Sequence, residues 1–152
     1  MGNVVSLVTG GCGFIGSHIV YRLLAEGHTV RVIDNFTTGR PENLDHQKGN
    51  ANLTVYQMDI RSREEIAPVF ADVDYVFHLA ALADIVPSIQ KPWEYYSSNV
   101  LGTYNVAECA RMAGVRKFVY AASSSCYGIP DEFHTKETAE IRPQDTYALT
   151  KR

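Results

Sequence analysis

Positive charge is scarce in this chain. Fourteen Lys and Arg face 17 Asp and Glu, a net charge of −3 over 152 residues, which leaves no basic footprint for nucleic acid. Long apolar runs are missing as well. No stretch of about 18 apolar residues occurs, so no membrane-spanning helix is expected. The first residues show no charged region followed by an apolar stretch and a cleavage site, which argues against a secretory signal. Cysteine is sparse: Cys12, Cys109 and Cys126 are scattered without a C-x-x-C. That usage suits a reducing cytoplasm and fits neither a disulfide scaffold nor a zinc site. The five histidines lack ligand spacing, so no metal is expected. His78, at the end of an apolar run, reads as a hydrogen-bonded structural residue. Met1-Gly2-Asn3-Val4-Val5-Ser6 matches a myristoylation pattern but runs straight into a strand that should be buried. Asn35-Phe36-Thr37 and Asn52-Leu53-Thr54 match glycosylation sequons, which mean little without secretion.

Glycine, by contrast, is concentrated where it matters. Val4 to Thr9 is an apolar, β-rich run, followed by Gly10-Gly11-Cys12-Gly13-Phe14-Ile15-Gly16. Gly11, Gly13 and Gly16 spell G-x-G-x-x-G, and Gly10, Gly13 and Gly16 the overlapping G-x-x-G-x-x-G. Such a turn lets the backbone reverse sharply, lets a pyrophosphate approach a helix N-terminus, and lets helix and strand lie close together. The context that gives the pattern meaning is present. Ile19, Val20, Leu23 and Leu24 form a helical apolar face, Gly27 stops it, and Thr29 to Ile33 is a second β-rich run closed by Asp34. A dinucleotide site follows. Asp34 can accept hydrogen bonds from the adenosine ribose hydroxyls and repels a 2′-phosphate, which favours NAD over NADP; Arg40 is the nearby group that tolerates a phosphate. Asp59 stands where an adenine would lie, and it also suits the N-cap of the helix that follows.

Strand and helix alternate along the chain. Strands are expected at 3–9, 29–34, 53–58, 74–79 and 117–122, and helices at 14–26, 62–70 and 93–113. This order predicts an α/β fold, a doubly wound parallel sheet with helices on both faces. Ligands in such sheets sit beyond the carboxyl ends of the strands. No linker, low-complexity segment or domain boundary is expected inside the chain.

Two further patterns carry chemistry. Tyr147-Ala148-Leu149-Thr150-Lys151 is a Y-x-x-x-K, and on a helix its ends share a face. A lysine cation beside a tyrosine favours the phenolate, so the tyrosine can act as a base near neutral pH. The other is the hydroxyl-rich run Ser123-Ser124-Ser125-Cys126-Tyr127 directly after the fifth strand.

Taken in order, these segments resemble the extended short-chain dehydrogenase/reductase family, and within it the NAD-dependent nucleotide-sugar 4-epimerases. The likeness covers essentially the whole chain and adds His78-Leu79-Ala80-Ala81 and Asn99-Val100-Leu101-Gly102-Thr103 to the segments above. It implies a Rossmann-type, NAD-binding domain over residues 1–152. The cofactor would be held by Gly10, Gly13, Phe14, Ile15, Gly16, Asp34, Asn35, Asp59, Ile60, Leu79, Ala80, Ala81, Asn99, Tyr147 and Lys151. It makes Tyr147 the base on the sugar 4-hydroxyl. Lys151 becomes the group that binds the nicotinamide ribose and lowers the tyrosine pKa. Ser123 becomes the hydroxyl that bonds the sugar oxygen, with Ser124 as the alternative if the register slips by one. The substrate implied is a UDP-hexose and the assembly a homodimer of the longer parent. Sugar 4,6-dehydratases of this family carry an acid just after the catalytic hydroxyl residue; here Ser124 and Ser125 occupy those positions, which ranks epimerase above dehydratase. A dehydratase or reductase, or a non-catalytic NAD-binding module, are the other readings. Thr146 and His134 stand where the family usually has proline, and Asp145 puts a negative charge near the proposed phenolate. The chain ends one residue after Lys151, so the expectation is an N-terminal fragment whose substrate domain lies elsewhere and which by itself binds NAD without turning over sugar.

Overall fold

A computed structural model describes residues 4–131 and 134–152. Met1, Gly2 and Asn3 lie outside the described residues, and with them half of the myristoylation pattern and the start of the first expected strand. The chain forms two compact units. The first comprises Met1–Ala80 and Gly102–Ala121, the second Ala81–Leu101 and Ala122–Arg152.

The first unit holds the whole sheet. β1 (Val5–Thr9), β2 (Thr29–Asp34), β3 (Leu53–Gln57), β4 (Tyr75–His78) and β5 (Lys117–Tyr120) are all parallel, in the order β3-β2-β1-β4-β5. β-branched and aromatic residues recur in these strands because they suit a pleated surface. Register follows the alternation of side chains. Val8 pairs with Val32 on one face, and Leu7 pairs with Val76 on the other. On Val8's face, α1 (Phe14–Ala25) buries Val20 and Leu23 against Val8, Val30 and Val32. On Leu7's face lie α2 (Arg63–Ile66), the 3₁₀ turn Ala67–Phe70 and α5 (Gly102–Met112), which bury Ile66, Phe70, Val106 and Cys109 against Leu7, Ile33 and Val76. The sheet is doubly wound, as the alternation implies. α1 ends in a Schellman arrangement: Gly27 N–H donates to the Leu24 carbonyl and His28 N–H to that of Leu23, both at 3.0 Å. Arg31 reaches off β2 to donate to the Val69 and Ala71 carbonyls at 2.7 and 2.5 Å, satisfying the end of the 3₁₀ turn.

The second unit holds α3 (Ile85–Gln90), α4 (Pro92–Tyr95), a π-helical stretch Tyr96–Leu101, a 3₁₀ turn Ser124–Tyr127 and α6 (Thr146–Thr150). The single helix expected over 93–113 is thus three pieces, because the bonding pattern widens at Tyr96–Leu101 before α5 begins at Gly102. A helical repeat read from sequence does not register that one-residue expansion. The helix expected over 62–70 tightens from α to 3₁₀ at Ala67, where Pro68 has no N–H to continue the ladder. The strands expected to reach 58, 79 and 122 stop at Gln57, His78 and Tyr120. Among the described residues, no helix is long and apolar enough to cross a membrane.

Candidate functional site

In the first unit the strand order reverses at β1, whose neighbours are β2 and β4. A crevice forms at such a switch point beyond the carboxyl ends of the strands. Gly10 leaves the end of β1, and Leu79 and Ala80 leave the end of β4. Leu79 N–H donates to the Thr9 carbonyl at 3.1 Å and Ala80 N–H to the Thr9 hydroxyl at 3.3 Å. Gly10 has φ +69°, and a Cβ there would stand 2.7 Å from the Ala80 nitrogen. At Gly16 a Cβ would overlap the Gly10 carbonyl. Helix, turn and strand therefore touch backbone to backbone, as the fingerprint requires.

Gly13 is the N-cap of α1. No side chain caps that end, and its first turn holds no acid. The first backbone N–H groups of a helix lack intrahelical acceptors and carry its positive dipole end. Phe14 and Ile15 are 77% and 61% exposed there, so the first turn is open. An uncapped helix start beside a cradle without Cβ atoms fits a pyrophosphate.

Asp34 ends β2 and is 7% exposed. One carboxylate oxygen accepts the Cys12 N–H at 3.0 Å and the other the Phe36 N–H at 2.8 Å. Each oxygen keeps a second lone pair for a ligand hydroxyl. The Cys12 carbonyl in turn accepts from Arg40 N–H at 3.0 Å and Asn43 Nδ2 at 2.8 Å. Cys12 is sealed inside this loop, and burial pushes its thiol up to about 12, so it is inert. Asn35 Nδ2 donates to Asp59 at 3.0 Å, which joins the ends of β2 and β3. Arg61 grips the same carboxylate at 3.0 and 2.6 Å, and it is the main cause holding Asp59 down at about 2. Asp59 thus stays ionised until pH falls through about 2, and stability from this pair is present above the usual 3.8 and lost below it. Arg61→Gln is expected to raise the Asp59 midpoint toward the ordinary carboxylate range. Carbon NMR of the Asp59 carboxyl checks this; a midpoint unmoved from about 2 would show that another group sets it. Ile60, the next residue, is buried against Gly102, where a Cβ would stand 2.6 Å from Ile60 Cδ1.

His78 is fully enclosed. Nδ1 bonds the Thr9 hydroxyl at 2.5 Å and Nε2 the Thr103 hydroxyl at 2.8 Å, and its ring stacks on Tyr120. It is the structural residue its position suggested. Among the described residues no group of three or more His, Cys, Asp or Glu could hold a metal ion.

The second unit carries Ala81, Asn99, Ser123, Tyr147 and Lys151. Ser123 caps the 3₁₀ turn; its hydroxyl accepts the Ser125 N–H at 3.3 Å and bonds the Ser125 hydroxyl at 2.7 Å. Ser124 is exposed. Tyr147 lies in α6 and is partly buried. Lys151 falls one residue past α6, as its C-cap, so tyrosine and lysine are not both inside the helix. Lys151 is 6% exposed, and burial pushes its amine down to about 8. Asp145 is the N-cap, accepting the Ala148 N–H at 2.7 Å, which commits the nearby charge to the helix start. Asn99 is buried in the π-helical stretch. Its carbonyl accepts the Leu82 N–H at 2.8 Å, and its amide donates to the Leu82 carbonyl at 2.9 Å and the Thr150 hydroxyl at 3.0 Å.

Three polar residues escaped the sequence reading. Asn105 in α5 donates to the Ile60 and Arg61 carbonyls, each at 3.0 Å, and so pins the loop after β3. Ser88 and Thr150 bond the backbone of Tyr147. Asn105 lies two residues past the run Asn99 to Thr103, Thr150 lies inside the Tyr147 to Lys151 run without a role of its own, and no motif marked Ser88.

Residues 6–152 match the model of the NAD dependent epimerase/dehydratase family. The UDP-glucose 4-epimerase of Mycolicibacterium smegmatis is 39% identical over 149 residues, covering 96% of this chain and 47% of that protein. UDP-glucuronic acid decarboxylase 2 of Arabidopsis thaliana is 40% identical over 132 residues, covering 87% of this chain and 28% of that one. Among solved structures, the UDP-N-acetylglucosamine 4-epimerase from Methanobrevibacter ruminantium M1, in complex with UDP-N-acetylmuramic acid, gives a TM-score of 0.92 at 34% identity, over 99% of this chain and 48% of that one. The Thermus thermophilus UDP-glucose 4-epimerase complex with NAD gives 0.87 at 38% identity, over 97% and 47%. The chain spans about half the length, or less, of the relatives it matches.

Proposed function

The chain belongs to the NAD dependent epimerase/dehydratase family, and from that premise we propose that the protein carrying it inverts C4 of a UDP-hexose. The reading is carried by the 3₁₀ turn after Ser123, which supplies hydroxyls and no carboxylate where elimination of water needs an acid. The 4-epimerases among the relatives support it.

When bound, NAD supplies a reversible hydride acceptor for the sugar C4. Gly10, Gly13 and Gly16, with the backbone amides of Phe14 and Ile15, hold its pyrophosphate. Asp34 and Asn35 take the adenosine ribose, Asp59 and Ile60 the adenine. Leu79, Ala80, Ala81 and Asn99 line the remainder. Tyr147 removes the proton from the sugar 4-hydroxyl and returns it to the same oxygen after the oxidised sugar has presented its other face. Ser123 holds that oxygen. Lys151 binds the nicotinamide ribose and, as a cation, favours the phenolate.

In the protein carrying this chain, Tyr147→Phe is expected to lower interconversion of UDP-glucose and UDP-galactose by about 10²-fold or more, with NAD affinity unchanged. Unaltered turnover would overturn the reading. NAD is expected to bind more tightly than NADP in a calorimetric titration, through Asp34. The decarboxylase relative favours one second reading: release of carbon dioxide from UDP-glucuronate, with no epimerisation of UDP-glucose, would select it.

A further inference from the structure

We propose that Ser88 and Thr150 form a buried hydroxyl clamp on the Tyr147 peptide and so set where the tyrosine phenol stands; this rests on the reading of Tyr147 as the base. α6 has five residues, Thr146–Thr150. A helix of one turn has almost no stability of its own, so its position must come from outside. The structure shows how. Ser88, in α3, is 0% exposed. Its hydroxyl donates to the Ile85 carbonyl at 2.6 Å and accepts the Tyr147 N–H at 3.1 Å, 59 residues along the chain. On the other side of the same residue, the buried Thr150 hydroxyl donates to the Tyr147 carbonyl at 2.8 Å. It accepts from Asn99 Nδ2, whose own amide is fixed on Leu82. Both backbone polar groups of Tyr147 are thus held by hydroxyls that have their own second partner.

The arrangement does what a cap cannot. Asp145 satisfies Ala148 N–H and leaves that of Tyr147 unserved. Ser88 supplies the acceptor from another helix, so α6 is tied to α3 at the residue that does the chemistry. Ser88 and Thr150 touch the backbone of Tyr147, and they are positioning residues.

The test uses Ser88→Ala, the isosteric Thr150→Val, and Thr150→Ser, which keeps the hydroxyl. Amide hydrogen exchange by NMR reads the clamp without any substrate. In Ser88→Ala the Tyr147 amide is expected to exchange about fivefold to tenfold faster, the loss of one hydrogen bond, while the Leu7 amide in β1 is unchanged. In the protein carrying this chain, Thr150→Val is expected to lower kcat by about tenfold or more, with KM and NAD affinity unchanged, as for a misplaced catalytic group, and Thr150→Ser to restore it. Unaltered Tyr147 exchange in Ser88→Ala, or exchange accelerated equally in β1, overturns the clamp. So does a kcat that falls alike in Thr150→Val and Thr150→Ser. Failure of the base reading looks different: Tyr147→Phe keeps full turnover, and the exchange result alone then decides whether the hydroxyls hold the peptide.

Discussion

Gly10→Ala is expected to abolish NAD binding and to destabilise the first unit by roughly 3 kcal/mol or more. Two effects add. The backbone at Gly10 has φ +69°, a region in which any Cβ is strained. The new atom would also stand 2.7 Å from the Ala80 nitrogen and 2.9 Å from its Cα. Neither is the end of a flexible side chain. Both belong to the backbone leaving β4, which is paired to β1 from Tyr75 to His78. Relief requires prising apart β1 and β4 at their carboxyl ends, where in the proposed site the turn would present its amides to the pyrophosphate. Gly49→Ala is the control. It has φ +84° but nothing within 4 Å of its Cβ position, so only the conformational strain remains, about 1 kcal/mol. Urea unfolding of the three chains and calorimetric titration with NAD check the expectation. Wild-type NAD affinity in Gly10→Ala would mean that the turn tolerates separation of β1 and β4.

Lys151→Met is expected to make the chain more stable at pH 7 by about 1 kcal/mol, solvent and the lysine's partners screening part of the burial cost, and to remove turnover from the protein that carries it. Burial pushes the Lys151 amine from 10.5 down to about 8. At pH 7 the lysine is charged in both the folded and the unfolded chain, so the folded state bears a buried charge. Between about 8 and 10.5 the unfolded chain holds more protons than the folded one. Wild-type stability therefore rises with pH across that interval. Methionine has a similar length and no charge, so the variant lacks that rise, and the difference between the two closes as pH approaches 10.5. Chemical denaturation from pH 7 to pH 10.5 reads it directly. A variant no more stable than wild type at pH 7 would show that the burial penalty is offset by the lysine's partners. For the proposed role of Lys151 the same value predicts an alkaline limb: a cation that would favour the Tyr147 phenolate is lost above about 8. In that role it would lower stability where it promotes chemistry, the pattern expected at an active site.

The sequence was most legible where one residue's geometry leaves no choice. The glycine turn, β2 and α1 follow from spacing, and Thr29–Asp34 and Phe14–Ala25 nearly coincide with the segments read from periodicity. Legibility failed where the determinant was a long-range partner. α3 escaped because its six residues include Pro87, which reads as a breaker although it sits in the first turn. The 3₁₀ stretch Pro41–Gln47 is polar except for Leu44, so no apolar stripe announces it. The π-helical expansion at Tyr96–Leu101 changes hydrogen bonding without altering composition. Among the proposed site residues, Tyr147, Lys151 and Ser123 were legible as a pattern. Ser88 and Thr150 were not, because a hydroxyl carries no sign of the peptide it holds 59 or three residues away.

The buried carboxylate of Asp34 has an evolutionary consequence. In the proposed site it would exclude a 2′-phosphate, and it also joins the glycine turn at Cys12 to the loop at Phe36. A lineage drifting toward a phosphorylated cofactor could not simply exchange this acid for a neutral residue, because two amides, that of Cys12 buried and that of Phe36 half-buried, would lose their acceptor at once. The loop from Phe36 to Asn43 would have to be rebuilt first, so coenzyme preference here is inherited with an architecture and changes only when that architecture does.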